Sequence, residues 1–192
     1  MNEIRCLLPN GMAIPLSAES VENVIIPSGE HEAGHAVAAH HYDARVLGIA
    51  LGFMVKEQQH KTFLVTHYTK TGLSIENRCV IYAAGPAADL IYFGGFKPAE
   101  VQGDLLAVKK LTGEATLETY LPAAKEIVAQ YSDVVKAIAA LLRETLESTN
   151  EIRLSPPSCG STEGVLLNEA QLMSCFNVKS SERPSRGPEE SG

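Results

Sequence analysis

The apolar positions of this chain fall into two kinds of run, one spaced for helices and one for strands. Ala33, Ala36, Val37, Ala38 and Ala39 follow a polar opening at 28–30. They predict a helix running to about Tyr42, with Ser28 as N-cap and Glu30 and Glu32 in the first turn. Residues 45–51 and 61–68 are short, rich in β-branched and apolar residues, and separated by a polar stretch, so they read as strands of a small sheet. Helical spacing returns over 74–93 with Ile75, Cys79, Tyr82 and Ala83; Gly85-Pro86 in the middle predicts a kink or a restart, and Gly94-Gly95 an end. A loop then leads to Gly103, and a further helix opens at Asp104. Ile127, Val128, Tyr131, Val134, Val135, Ile138, Leu141, Leu142 and Leu146 predict one long amphipathic helix over 122–148. Pro156-Pro157-Ser158 reads as a loop ahead of a last short helix over 166–175.

The two ends read differently. Residues 1–27, with Pro9, Asn10-Gly11 and Pro15, form an extended arm carrying one strand. Residues 177–192 are rich in Ser, Pro, Glu and Gly without periodicity, the composition of a disordered tail. Between them, 28–176 make one domain. The expected fold class is mainly α with a small β-sheet (α+β), a helix followed by strands and then a C-terminal helical bundle.

Composition narrows the function. The chain has 192 residues, 45% hydrophobic and 20% charged, enough for one substantial core. Its net charge of −7, with basic residues scattered, argues against a nucleic-acid partner. The most apolar stretch, 80–96, is interrupted by Gly85, Pro86 and Asp89, so no membrane span is expected, and the N-terminus has no signal-peptide pattern. Cys6, Cys79, Cys159 and Cys175 form no C-x-x-C pair and read as reduced thiols of a cytoplasmic protein.

The chemistry lies in His31-Glu32-Ala33-Gly34-His35, an H-E-x-x-H motif on the first predicted helix. Histidines at i and i+4 share a helical face and reach a single zinc ion, with Glu32 beside it to take a proton from a water there. Gly34 inside the helix costs about 1 kcal/mol against alanine, which signals that something packs closely against it. A catalytic zinc takes a third protein ligand. His40 and His41 turn away from the motif's face at about 100° per residue, and with His60 and His67 they read as surface residues. Asp89, Glu100 and Asp104 remain, each with an ordinary alternative: a buried hydrogen-bond partner, a loop residue and an N-cap. Spacing does not choose among them.

The run from His31 to Val37 resembles the zinc motif of the FtsH family of ATP-dependent metalloproteases. Tyr82-Ala83-Ala84-Gly85-Pro86-Ala87-Ala88-Asp89-Leu90-Ile91-Tyr92-Phe93-Gly94 and Gly103-Asp104-Leu105-Leu106-Ala107 resemble that family's glycine- and alanine-rich helix and its downstream aspartate segment. The resemblance covers about 28–175. It implies a zincin-like peptidase holding one zinc ion per chain, with His31, His35 and Asp104 as ligands and Glu32 as general base. Asp89 becomes an acidic residue orienting a ligating imidazole. The strand around 46–51 lies along the cleft, where an extended substrate adds as a further strand. Departures matter too: the chain has no G-x-x-x-x-G-K-[ST] loop and no room for an ATPase module, so peptides or unfolded chains are the expected substrates. A separate ATPase partner and assembly into homo-oligomers follow by analogy only. The competing readings are a catalytically silent binding or regulatory module and a zinc hydrolase acting on something other than peptides.

Overall fold

The structure, a computed structural model, describes residues 4–56, 59–96, 98–114, 116–158 and 161–178. It is mainly helical with a small β component, as the hydrophobic spacing predicts, but the strands form two sheets rather than the one expected. Among the described residues, no helix is long and apolar enough to cross a membrane. Cys159, the side chains of His60 and Glu100, and the tail beyond Val178 lie outside the described residues.

Residues 4–28 contain more structure than one strand in an arm. β1 (Ile4–Leu7) and β2 (Ala13–Leu16) form an antiparallel hairpin, and β1 also pairs in parallel with β5 (Glu151–Arg153). Ile4, Cys6 and Leu16 are buried in the common core. The pairing of β1 with β5 is invisible to apolar periodicity, because that partner strand is supplied from far along the chain.

α1 (Ala18–Ser20), a π turn and a 3₁₀ turn then run without a break into α2 (Gly29–His41). Ser28 stands at the expected N-cap but adopts helical dihedrals and makes no capping hydrogen bond. The preceding turns supply what a cap would have, as the Gly29 amide bonds to the Ile26 carbonyl. From Gly29 to Ala39 every residue except Glu30 is buried, so α2 is a central helix, packed against α3, α5, α6 and the edge of a sheet.

That sheet has the order β4-β3-β7-β6, antiparallel throughout. β3 (Val46–Lys56) and β4 (Gln59–Tyr68) are the expected pair, longer than the sequence suggests, with Ile49 opposite Thr66 and Leu51 opposite Leu64. β7 (Ser161–Asn168) covers the other side of β3, and β6 (Ser155–Ser158) pairs with β7. The stretch read as a loop and a helix start is thus partly a hairpin. The last helix, α7 (Glu169–Val178), begins later than expected and is closed by a reciprocal cap between Asn168 and Gln171.

α3 (Ile75–Phe93) starts at Ser74, whose hydroxyl accepts from the Asn77 amide, and ends at Gly94 in the left-handed region (φ 72°). Of the two expected outcomes, a kink or a restart, the restart does not occur: one helix runs through Pro86. Burial of both flanking turns holds it together where a proline removes one ladder donor. α4 (Pro98–Thr112) opens before Gly103, so Asp104 sits in its second turn rather than at its N-cap. The expected long helix divides at Tyr131 into α5 (Leu121–Gln130) and α6 (Ser132–Ser148). The two pieces pack mainly on different neighbours, α5 on α3 and α6 on α2, which one straight rod could not do.

Candidate metal centre

α2 carries His31, Glu32 and His35 on its buried face, with donor atoms all within 4.8 Å of one another. The two imidazole rings meet edge to face with centroids 4.8 Å apart. They are held from behind by one stripe of α3, where Ile81, Gly85 and Asp89 recur at i, i+4 and i+8. The Ile81 carbonyl lies 2.7 Å from His35 Nδ1, and Asp89 Oδ2 lies 2.9 Å from His31 Nδ1. A carbonyl only accepts, so His35 Nδ1 carries the proton and Nε2 keeps the lone pair. Asp89 fixes the same tautomer in His31.

Gly85 occupies the middle of the stripe. A Cβ there would stand 2.5 Å from Nε2 of both His31 and His35, so the missing side chain leaves the room into which both nitrogens point. Gly34, which the sequence marks as a close approach, is one: a Cβ on it would meet the Ala84 carbonyl oxygen of α3. The small residues of α2 and α3 therefore set how near the imidazoles come to Asp89 and Ile81.

Asp104 closes the cluster from α4. Its Oδ2 is 3.2 Å from His31 Nε2 and its Oδ1 is 3.5 Å from His35 Nε2. Of the acidic candidates whose side chains are described, Asp104 meets the Nε2 atoms of both rings and Asp89 the rear of one. Glu32 is turned instead toward Thr66 of β4, whose hydroxyl lies 2.7 Å from Glu32 Oε2 and 2.9 Å from the Glu32 carbonyl oxygen. That single hydroxyl proton serves one acceptor at a time.

The electrostatics call for a cation. His31, Glu32, His35, Asp89 and Asp104 are each at most 8% exposed. Asp89 Oδ1 and Asp104 Oδ2 are buried without a hydrogen bond. Buried carboxylates in such numbers are stable only when paired or bound to metal. Without metal, protons fill part of that role. Burial opposes a charge on His31, yet the adjacent Asp104 and Asp89 outweigh it and hold the imidazole well above its ordinary value. Burial likewise opposes charge on His35, but Asp104 prevails and raises it. Burial pushes Asp104 up, and the two imidazoles, His35 first, overcome this and lower it. Two imidazole nitrogens and a carboxylate, with rear hydrogen bonds fixing both rings, suit a divalent metal such as zinc.

The centre opens into a cleft of about 500 Å³, bordered by Met54, residues 61–66 of β4, Tyr68, Tyr82 and Leu106. Consecutive residues of a strand can all border one cleft only along the strand's edge, since their side chains alternate. From Gly48 to Phe53, β3 is hydrogen-bonded on both sides, by β4 and β7, so most of the region 46–51 has no edge to offer a substrate. Among the described residues β4 pairs with β3 alone, which makes β4 the exposed edge beside the site.

None of the other described histidines joins the centre. His41 is exposed, as expected, and His67 is half-buried on β4, 2.7 Å from Glu163. His40 departs from the surface reading: it is half-buried and stacks on Phe176 with centroids 4.0 Å apart. Sequence reasoning missed Thr66, Tyr68 and the Ile81 carbonyl, which carry no motif; the run Ala83 to Ala88 was the available sign that Gly85 lies at a close contact. No protein-family model and no curated protein matches this chain, so the chemistry of the centre follows from its geometry alone.

Proposed function

We propose that this protein is a zinc endopeptidase that cuts flexible or unfolded polypeptides. The observation that carries this reading is the grouping of His31, His35 and Asp104 around one point, with the Glu32 carboxylate beside it at the foot of an open strand edge. The resemblance to the FtsH protease domain points the same way.

An extended peptide pairs with the free edge of β4 through its backbone, which places one of its peptide bonds across the centre with little demand on sequence. His31, His35 and Asp104 would hold the zinc, the rings kept in orientation by Asp89 and the Ile81 carbonyl. Zinc bound there supplies Lewis acidity toward the scissile carbonyl and the attacking water. Glu32 takes the water proton and hands it to the leaving amine. Thr66 donates to Glu32 Oε2 and aims that carboxylate. A folded substrate cannot present an extended strand to β4, so loosely structured chains are preferred unless a separate ATPase unfolds them.

The test is degradation of casein by the zinc-loaded protein beside Glu32→Gln, with zinc content measured for both. Cleavage by the parent and a loss of at least about a thousandfold in the variant, at equal zinc content, is the expected result. Equal activity in the variant removes Glu32 from the chemistry. Zinc bound with no cleavage by either removes the peptidase reading and leaves a binding role.

A further inference from the structure

α4 has two faces with different surroundings. Val101, Leu105 and Val108, spaced by three and four, are buried or half-buried against the core, where α4 packs on α3. Gln102, Gly103 and Leu106, at i, i+1 and i+4, are exposed and border the cleft. Asp104 fixes this helix at the centre, with its carboxylate 3.2 Å from His31 Nε2. At a rise of about 1.5 Å per residue, Gly103 and Leu106 both lie within one helical turn of Asp104. Neither residue is explained by the fold. Glycine is a poor helix former, yet Gly103 lies inside α4. Its φ is not positive, and a Cβ on it would meet nothing within 4 Å, so neither backbone conformation nor close packing calls for glycine there. Leu106 is 52% exposed and off the stripe that packs. The same cleft is bordered by Met54, Leu64 and Val65 of the sheet, whereas its polar groups nearest the centre are engaged, Thr66 with Glu32 and Asp104 with both imidazoles. A missing side chain beside an unburied apolar one thus leaves an apolar notch in the cleft wall next to the centre.

We infer that Gly103 and Leu106 form a specificity subsite that takes a large apolar side chain of the substrate, on a residue beside the scissile bond. The inference rests on the peptidase reading above and names which peptides that centre selects. A strand held at the edge of β4 through its backbone makes little demand on sequence, and its side chains alternate between two directions. Those on one side of it enter the cleft together with the scissile bond, and there the demand on sequence arises. The absent side chain at Gly103 leaves room for the incoming group, and Leu106 covers it. Leucine, methionine or phenylalanine then loses apolar surface to the notch, which alanine leaves part-empty. Aspartate would bring a charge that no free cationic group in the notch compensates. A pocket that gains or lacks a group of this size discriminates between substrates by about ten- to a hundredfold.

The experiment uses the zinc-loaded full chain and quenched fluorescent peptides of glycine, serine and alanine, identical except for one central leucine, alanine or aspartate. The expected result is cleavage next to the leucine, mapped by mass spectrometry, with kcat/KM about ten- to a hundredfold above the alanine peptide and the aspartate peptide lowest. Leu106→Ala should lower the leucine-to-alanine ratio about tenfold. Gly103→Leu, which fills the notch, should lower it at least as far. Its melting temperature should stay equal or rise, because leucine is the better helix former and meets open space. Zinc content should not change in either variant. A structural role predicts another pattern: a lower melting temperature or zinc content, with the leucine and alanine peptides losing activity in parallel. That pattern, or no preference for leucine in a parent that cleaves casein, overturns the subsite while leaving the peptidase intact. A parent that binds zinc and cleaves neither casein nor the peptides overturns both.

Discussion

Gly85→Ala tests the centre without touching any polar group. In an ordinary helix interior the change is stabilising by about 1 kcal/mol, since alanine is the better helix former. Gly85 lies in mid-helix, so backbone strain does not enter. The new Cβ, however, stands 2.5 Å from both imidazole Nε2 atoms, about 0.9 Å inside the 3.4 Å at which ordinary contact begins. The rings cannot swing aside cheaply. Their Nδ1 atoms are tied to Asp89 and Ile81 at 2.9 and 2.7 Å, and α2 cannot retreat as a unit without opening its contact at Ala84. Overpacking of this kind costs about 1–3 kcal/mol, which outweighs the gain in helix propensity. The methyl also fills the space between the ligands. Disturbing what holds metal ligands in place typically lowers affinity about ten- to a hundredfold, so zinc affinity should fall by that factor. The assay is zinc competition against a chromophoric chelator, with thermal unfolding followed by far-UV circular dichroism. Parent-like zinc affinity together with a higher melting temperature would refute the cradle.

Two further predictions follow from the same contacts. Thr66→Val removes the hydroxyl that aims Glu32 while keeping the β-branched shape; turnover should fall about ten- to a hundredfold with zinc affinity retained, and steady-state kinetics beside a zinc titration checks this. The metal should compete with protons. His31 and His35 have raised pKa values in the metal-free fold, so their stabilising contribution is complete below their ordinary value of 6.5 and is lost as pH rises through the raised values. The rise in melting temperature on adding zinc should therefore grow from pH 6 toward alkaline pH. Parallel melts in zinc and in chelator measure it, and a pH-independent gain would contradict the assignment.

The local pattern was enough for the helices and strands nearest the chemistry. α2, the β3–β4 pair and α3 are visible because their apolar spacing and their terminal serine and glycines act over a few residues. His31, Glu32 and His35 were equally legible, since i and i+4 on one helix fixes their common face whatever surrounds it. Gly34 announced a close neighbour but not which one, and that neighbour is Ala84. The break at Tyr131 and the strand at 161–168 were misread, because each depends on partners distant in sequence.

The sequence by itself therefore determined the histidine pair on one helical face, the acid beside it and the fold class. Only the tertiary structure decided that Asp104 rather than Asp89 meets both Nε2 atoms, that Thr66 holds Glu32, and that β4 rather than β3 is the open edge. The reason is physical. A metal site and a sheet edge are made where separate elements converge, and convergence is set by packing among α2, α3, α4 and β4, which spacing along the chain does not encode.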